Sequence, residues 1–309
     1  MSKPDAAPPP LSRKLKPAPS KARQVARRAF YTAIRPISLL LHQVHALMTT
    51  FLLAVIALGP MPRHIGFVMD GNRRYARSQG QRIAKGHQRG SESLKRTLTI
   101  CLRLQIPVIS VYAFAIDNFN RSQEEIDALM ELVWVELKEL SREGGFLDRH
   151  GVRLRCIGRL DLLKPDMQAA LREMEADTAA NKRGVLNVCG PYGSRDEMTA
   201  AVRDTVAAVA EGTQSPEKIT SQTVFSRLQT VASAATVDNG HGPLDIFIRT
   251  SGVKRLSDFM MWQADEDTQI HFVKTYWPDF GLTDLLPILL GWQQKVWLGR
   301  RERARVARA

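Results

Sequence analysis

Short apolar segments without a helical period alternate with longer segments of helical pattern along most of this chain. A short apolar run bounded by turn signals is typical of a buried strand, and strands separated by helices form parallel sheets that the helices cover. We therefore predict an α/β protein with a mostly parallel central sheet of about six strands. The predicted strands are residues 64–69, 107–115, 152–158, 185–190, 244–249 and 269–273, and the predicted helices are residues 86–104, 122–143, 162–181, 194–211, 220–230 and 282–298.

The 309 residues contain enough apolar material for one substantial core, and neither a linker nor an internal repeat follows residue 62. We assign residues 60–298 to a single α/β domain. The three cysteines, Cys101, Cys156 and Cys189, stand singly inside apolar runs. This spacing favours buried thiols in a reducing compartment over disulfides or a zinc site.

The net charge of +13 is concentrated at the two ends of the chain. Residues 1–35 carry +8 and residues 299–309 carry +4, which leaves about +1 for residues 36–298. A globular nucleic-acid binder spreads its cations over a folded face with exposed aromatic side chains, so we expect no nucleic-acid partner. The Pro-, Ala- and Ser-rich arm at residues 1–35 is expected to be disordered, and residues 299–309 to form a basic tail.

An apolar segment follows the basic arm directly, at roughly residues 37–58, and its second half carries no charge. A transmembrane span, an interfacial helix and a helix packed over an apolar cavity of the same protein are all compatible with it. We favour an interfacial or cavity-capping helix at residues 36–59, with the basic flank directed to an anionic membrane surface. The segment starts too far from Met1 for a cleaved secretory signal.

The first motif with chemical potential is the sequence DGNRR at residues 70–74, directly after the strand predicted at residues 64–69. Open parallel sheets bind ligands at the carboxyl ends of their strands. Asp70 offers a hard oxygen ligand for a cation, and Arg73 and Arg74 suit paired contacts with diphosphate oxygens. In isolation, a helix-capping carboxylate beside two solvated arginines is the better interpretation.

The second motif follows the strand predicted at residues 107–115. Asn118 and Arg121 lie just before a predicted helix, whose start is marked by Ser122 and Glu125 at the spacing of a capping box. Free amide groups, the helix dipole and an arginine at one place suit an anion. An ordinary strand–loop–helix junction is the competing interpretation.

The third motif begins where the strand predicted at residues 244–249 ends. Arg249 closes this strand, and Arg255 and Ser257 follow a Ser/Gly turn. Two guanidinium groups and a hydroxyl would form a second anion site, whereas an ion pair of Arg255 with Asp258 is the structural alternative. His87, early in a predicted helix, is a further candidate phosphate donor, although a lone histidine is more often structural.

These motifs resemble those of the cis-prenyltransferases, the family of undecaprenyl and dehydrodolichyl diphosphate synthases. The form Asn-Arg-Arg after Asp-Gly, together with Arg-Thr-Ser-Gly, is similar to the eukaryotic dehydrodolichyl branch. The resemblance covers about residues 60–295. The segments that carry it are HIGFVMDGNRRYA at 64–76, GH at 86–87, VYAFAIDNFNRS at 111–122, IRTSGVKRLSDFMMWQ at 248–263 and WPDF at 277–280.

The resemblance implies a role for each motif residue. It implies that Asp70 binds a Mg²⁺ ion that bridges the allylic diphosphate, and that Asn118 lies close to the reacting carbons. It implies farnesyl diphosphate and isopentenyl diphosphate as substrates, with an apolar tunnel for the growing chain. The residues implied for the allylic diphosphate are Gly71, Asn72, Arg73, Arg74, His87 and Arg121, and those implied for isopentenyl diphosphate are Arg249, Arg255 and Ser257.

Three features depart from the family pattern. Ile83 stands where the family usually has an arginine, four residues before His87. Residues 268–271, TQIH, stand where many bacterial members have a glutamate that helps to hold the metal. Single-subunit members end in an Arg-X-Gly motif, which residues 299–303 lack. The resemblance therefore implies a heteromer, in which a homologous non-catalytic subunit supplies that motif.

We thus predict a Mg²⁺-dependent cis-prenyltransferase that makes a long-chain dehydrodolichyl diphosphate for dolichol synthesis and protein glycosylation. Its expected location is the cytosolic face of the endoplasmic reticulum membrane. A non-catalytic scaffold subunit of the same complex is the alternative, and the complete set of charged motif residues argues against it. A nucleic-acid-binding protein that uses the basic ends of the chain is a third interpretation.

Overall fold

The computed structural model describes residues 43–44, 46–234, 244–265 and 267–306. The basic arm at residues 1–35 and the first part of the predicted apolar helix lie outside these residues. The chain divides into two units, residues 1–52 and 53–309, and the second contains the sheet and the candidate site. Helix α1, residues 46–56, contributes its last turn to that second unit.

A six-stranded, all-parallel sheet forms the centre of the second unit, in the order β3-β4-β2-β1-β5-β6. All six strands were predicted from the sequence, and the predicted fold class is confirmed. The strands are β1 (His64–Val68), β2 (Val108–Tyr112), β3 (Val152–Ile157), β4 (Gly184–Cys189), β5 (Ile246–Arg249) and β6 (Gln269–Phe272).

The middle of the sheet determines where the motif residues lie. Strand β1 pairs with both β2 and β5, so that Val68 is in register with Tyr112 on one side and with Arg249 on the other. The carboxyl ends of these three strands are therefore level. Because every residue of β1 and β5 is buried, helices and loops cover both faces of the sheet here.

Helices connect the strands from β1 to β5, as the alternating pattern predicts, whereas the described residues between β5 and β6 form turns and bends without a helix. The prediction missed α2 and α5, and the segment predicted as one helix at residues 220–230 forms two short helices instead. The helices are α2 (Asn72–Ser78), α3 (Ile83–Arg103), α4 (Gln123–Ser141), α5 (Phe146–His150), α6 (Pro165–Asp177), α7 (Ser194–Ala210), α8 (Ser221–Phe225), α9 (Gln229–Ala234) and α10 (Leu282–Val306), with short 3₁₀ turns at Ile116–Asn120, Leu160–Leu162, Pro216–Lys218 and Trp277–Asp279.

Only one of the two hydrogen bonds of the capping box predicted at the start of α4 forms. The Ser122 hydroxyl accepts a hydrogen bond from the Glu125 amide at 3.4 Å, as expected of an N-cap residue. The Glu125 carboxylate does not return to Ser122, because it accepts a hydrogen bond from Arg73 Nη1 at 2.8 Å. The start of α4 is thereby connected to α2.

The hydrophobic core lies between the sheet and the helices that cover it. On one face Phe67 packs against Trp277 and Phe280, whose rings are stacked with centroids 5.5 Å apart. The last turn of α1 belongs to this core, where Ile56 is buried and its carbonyl accepts a hydrogen bond from Gln293 of α10. No helix in the described part of the chain combines the length and apolar character needed to cross a membrane.

Candidate active site

The three motif-bearing strand ends open into one cavity of about 1020 Å³ at the carboxyl edge of β1, β2 and β5. Every residue that the sequence assigns to the site lines this cavity. The eleven residues are Asp70, Gly71, Asn72, Arg73, Arg74, His87, Asn118, Arg121, Arg249, Arg255 and Ser257.

Asp70 is held between two arginines at the centre of this edge. Its Oδ2 lies 3.0 Å from Arg249 Nη2, and its Oδ1 lies 3.2 Å from Arg74 Nη2. Burial alone would raise the pKa of Asp70, but the hydrogen bonds and charges of Arg249 and Arg74 outweigh it and hold this pKa below its usual value. The carboxylate is therefore ionised at neutral pH, and its side chain keeps 29% of its surface exposed.

The backbone around Asp70 is fixed by Thr250, which directly follows β5, and enclosed by the ring of Tyr276. The Asp70 amide donates to Thr250 Oγ1 at 3.0 Å, and the Thr250 hydroxyl donates to the Asp70 carbonyl at 2.6 Å. Gly71 follows with φ +108, and a Cβ there would lie 2.7 Å from the Tyr276 ring. Only glycine fits this left-handed turn, which directs the chain from the strand into α2.

Helix α2 places three arginines on the cavity. Arg73, Arg74 and Arg77 all line it, and their spacing of three and four residues puts Arg77 on the same helix face as the other two. Arg74 also donates to the carbonyl and hydroxyl of Ser251, with its guanidinium over the Tyr276 ring. The sequence motifs did not include Arg77, and Ser251, although part of the third motif, received no role.

The second predicted anion site is built around a buried guanidinium. Arg249, with 6% of its side chain exposed, uses Nη1 to donate to Ser257 Oγ at 2.6 Å and to the Arg255 carbonyl at 2.8 Å. The Arg255 side chain is exposed and lines the cavity. Asp258 does not form the ion pair with Arg255 that was considered from the sequence, because it pairs with Arg195, 3.4 Å away.

Further polar groups line the cavity near the end of β2 and the start of α3. Arg121 Nη2 donates to Asn118 Oδ1 at 2.8 Å, in the 3₁₀ turn and loop after β2. His87 lies in the second turn of α3, and its pKa is lowered first by burial and then by the positive charges of Arg73 and Arg121. At neutral pH the imidazole is therefore uncharged, and one ring nitrogen is a donor for an anion.

The approach of α3 to α2 depends on a second glycine. A Cβ on Gly86 would collide with the Asn72 carbonyl oxygen, so that a larger residue would force the two helices apart. His87 follows directly, and its distance from the arginines of α2 depends on this close packing.

The deep end of the cavity is apolar, in agreement with the predicted tunnel. The side chains that line it come from α3, α4 and the sheet, and a separate apolar cavity of about 30 Å³ shares part of this wall. One polar pair interrupts it, in which Ser91 of α3 donates to Glu136 of α4. The apolar residues are Leu94, Leu129, Leu132, Val133, Leu137, Leu140 and Val188.

Sequence reasoning missed several groups that line or support the site. Arg77 could have been found from its helical spacing to Arg73 and Arg74. Arg195, at the start of α7, also lines the cavity, but no motif pointed to it. Thr250 was part of the quoted segment and received no role.

These features define an α/β protein with a site for a substrate that is anionic at one end and apolar along its length. The family model of the undecaprenyl diphosphate synthases matches residues 68–298, which include strands β2 to β6 and the last residue of β1. The chain belongs to this family, the cis-prenyltransferases, as its motifs suggested, and is an enzyme of that class.

Similar proteins come from several kingdoms. The chain is 40% identical over 247 residues to a dehydrodolichyl diphosphate synthase complex subunit of Schizosaccharomyces pombe, an alignment that covers 80% of this chain and 90% of that protein. It is 38% identical to the corresponding human subunit, over 80% of this chain and 72% of the human protein.

A solved structure also has the same fold. Lavandulyl diphosphate synthase from Lavandula x intermedia, in complex with dimethylallyl diphosphate, superposes with a TM-score of 0.65 and 30% identity, over 75% of this chain and 95% of that one. An undecaprenyl diphosphate synthase structure from Campylobacter jejuni, 24% identical, supports the fold with a TM-score of 0.60 over 76% of this chain and 96% of that one.

Proposed function

We propose that this enzyme extends farnesyl diphosphate with isopentenyl diphosphate, in a Mg²⁺-dependent reaction, to a long-chain dehydrodolichyl diphosphate for dolichol synthesis and protein glycosylation. The observation that carries the proposal is the position of Asp70 between Arg74 and Arg249. These two arginines belong to two different groups of anion-binding side chains that open into the same cavity. Two diphosphates bound there would lie on either side of one carboxylate.

The first group would bind the allylic diphosphate. Its members are the backbone around Gly71 and Asn72, the arginines of α2 and Arg121, with His87 as a neutral donor. When the allylic carbon–oxygen bond breaks, the diphosphate leaves with the bonding electrons and its negative charge increases. Guanidinium groups that are already in place stabilise this charge without reorganisation, which lowers the barrier.

The second group, Arg249, Arg255 and Ser257, would bind the diphosphate of isopentenyl diphosphate. The terminal alkene carbon of this substrate bonds to the allylic carbon, and a proton then leaves its C2 to restore a double bond. Asn118, held by Arg121, is the polar side chain that we place closest to the reacting carbons. The apolar wall at the deep end of the cavity would receive the growing chain.

The residues at this edge fit a magnesium ion. Asp70 is ionised, keeps part of its surface open and presents hard oxygen atoms, which Mg²⁺ prefers. In the described residues no group of three His, Cys, Asp or Glu side chains could hold a metal, so diphosphate oxygens and water would complete the coordination. A bound Mg²⁺ would neutralise charge on the leaving diphosphate.

We further propose a heteromeric complex at the cytosolic face of the endoplasmic reticulum membrane. The yeast and human relatives carry the name of complex subunits, which supports a partner subunit for this chain. The charge of +8 on residues 1–35, ahead of an apolar segment, supports contact with an anionic membrane surface.

The test is incorporation of labelled isopentenyl diphosphate into butanol-extractable product, with farnesyl diphosphate and Mg²⁺. The chain is assayed alone and with microsomes that lack their own activity, beside an Asp70→Asn control. Product that needs the microsomes and intact Asp70 supports a catalytic subunit with a partner. Product from the chain alone supports the proposed reaction but contradicts the requirement for a partner subunit. No product in either assay contradicts the proposal and favours the scaffold subunit.

A further inference from the structure

A buried carboxylate lies behind the second anion site, and the reaction does not use it. Glu197, in the first turn of α7, has 4% of its surface exposed. It accepts four hydrogen bonds: from the Thr230 amide at 2.8 Å and hydroxyl at 2.9 Å, from the Tyr192 hydroxyl at 2.5 Å, and from Gln263 Nε2 at 2.8 Å. All four donors are neutral groups, and all three partner residues are buried.

These partners connect α7 to the segment that carries Ser257. Gln263 ends that segment, and three further hydrogen bonds attach it to the same turn of α7, one of them from the Arg195 amide to Asp258 Oδ1 at 3.1 Å, beside the ion pair of the same two residues. The Ser194 amide donates to the Asp258 carbonyl at 2.7 Å, and the Met261 amide donates to Ser194 Oγ at 2.9 Å. The first turn of α7 therefore holds this segment at three points, and Glu197 forms the innermost one.

The segment needs such support because its backbone is strained. Ser257, Asp258 and Met260 have φ values of +55, +57 and +49, a left-handed conformation that residues other than glycine rarely adopt. Such a conformation persists only where surrounding contacts impose it. Here it places the Ser257 hydroxyl 2.6 Å from Arg249 Nη1.

We infer that Glu197 is a positioning residue for isopentenyl diphosphate, because it fixes the backbone that presents Ser257 and Arg255 to the cavity. Tyr112 extends the connection, since its hydroxyl lies within hydrogen-bond distance of the carbonyls of Tyr192 and Ser257. The arginines of α2 and His87 should be insensitive to Glu197, because they lie on α2 and α3, whereas the loop after β2 pairs with Tyr192 through backbone hydrogen bonds of Phe114 and Ile116. This inference rests on the proposed function.

The test compares Michaelis constants for the two substrates in the full chain with its microsomal partner. In Glu197→Gln one carboxylate oxygen becomes an amide nitrogen, which cannot accept the hydrogen bonds that Tyr192 and Gln263 donate to the same oxygen, so both of these groups must reorient. We expect the KM for isopentenyl diphosphate to rise about tenfold and the KM for farnesyl diphosphate to change less than twofold. The control is Asp196→Asn, which alters the neighbouring carboxylate, paired with Arg159, and should keep both values.

A reciprocal variant separates positioning from general stability. In Glu197→Gln/Gln263→Glu the amide and the carboxylate exchange places, the hydrogen bond between them is restored with reversed polarity, and Thr230 can donate to the new glutamate. We expect this double variant to recover most of the lost affinity for isopentenyl diphosphate. Tyr192→Phe removes the hydrogen bond from the Tyr192 hydroxyl to Glu197, and we expect a smaller rise in the KM for isopentenyl diphosphate. This variant tests the positioning role if Glu197→Gln does not fold.

The inference would be overturned if folded Glu197→Gln kept the wild-type KM for isopentenyl diphosphate. A parallel rise of both Michaelis constants with a lower melting temperature would also overturn it. If Glu197→Gln does not fold, an unchanged KM for isopentenyl diphosphate in Tyr192→Phe would have the same meaning. Absence of isopentenyl incorporation by the wild type would instead count against the proposed function.

Discussion

The Arg249 guanidinium contacts the Asp70 carboxylate across adjacent strand ends, with Nη2 and Oδ2 3.0 Å apart, while Nη1 of the same group holds Ser257. One buried arginine thus joins the proposed metal ligand to the proposed isopentenyl diphosphate site. Register places it there, because Arg249 pairs with Val68, two residues before Asp70. A rigid, planar group therefore connects the two proposed substrate sites.

Arg249→Lys should uncouple the two sites although it keeps the positive charge. A lysine ammonium cannot present a planar fork to Asp70, Ser257 and the Arg255 carbonyl at once. We expect kcat/KM for isopentenyl diphosphate to fall about a hundredfold, roughly 2.7 kcal/mol of transition-state stabilisation, with a smaller effect on the KM for farnesyl diphosphate. Steady-state kinetics with each substrate varied in turn measure this, and an equal loss for both substrates would contradict the uncoupling.

Asp70→Asn should remove most Mg²⁺-dependent turnover while the protein stays folded. The amide keeps the shape of the side chain but loses the charge that attracts the ion and pairs with Arg249. We expect kcat to fall at least a thousandfold, and EDTA to abolish activity in the wild type. Circular dichroism establishes that the variant is folded, and turnover that persists in the folded variant would exclude the metal role.

Local pattern is sufficient to predict the sheet and most of the site. Strands with apolar residues throughout are buried on both faces, and polar residues after them must lie at the carboxyl edge. This reasoning alone places Asp70, Asn118 and Arg249 at one edge of the sheet. Local pattern does not predict the order of the strands, because that order depends on which apolar faces pack together over long sequence distances.

The features that the sequence did not predict correctly have identifiable physical causes. Helix α2 is short and rich in arginine, so it lacks the apolar period that indicates a helix, and Arg77 was overlooked with it. Glu125 was expected to close a capping box, but Arg73 from α2 is the stronger partner for a carboxylate. Glu197 gave no signal, because its four hydrogen bonds come from segments that meet only in the folded chain.

Arg77→Ala should weaken binding of the allylic substrate. Its guanidinium lines the cavity on the same face of α2 as Arg73 and Arg74, where it adds positive charge near a bound diphosphate. We expect the KM for farnesyl diphosphate to rise about threefold to tenfold and kcat to change little. Arg89→Ala is the matched control, since Arg89 pairs with Glu92 on the surface of α3. If both variants have the same effect, the loss reflects overall charge and not the site.

Gly86→Ala should damage both stability and the allylic site. Its methyl group would collide with the Asn72 carbonyl and push α3 away from α2, so we expect a loss of about 1–3 kcal/mol in the free energy of unfolding and a higher KM for farnesyl diphosphate. Gly291→Ala, in α10, meets nothing within 4 Å and should be neutral or stabilising by up to about 1 kcal/mol. Urea unfolding of both variants measures the difference, and equal stabilities would mean that the helix contact is not tight.

Acid should destabilise the fold through His64 on β1. Its ring, 4% exposed, lies 2.8 Å from Ser110 Oγ, and burial lowers the pKa of His64 to about 4. The unfolded chain binds a proton near pH 6.5 and the folded chain only near pH 4, so the free energy of unfolding decreases as the pH falls through this window. Between about pH 7.5 and 5.5 we expect His64 to account for a loss of about 1.3 kcal/mol. His64→Gln should lose that share of the pH dependence in urea titrations, and a slope equal to that of the wild type would show that the folded protein protonates His64 without cost.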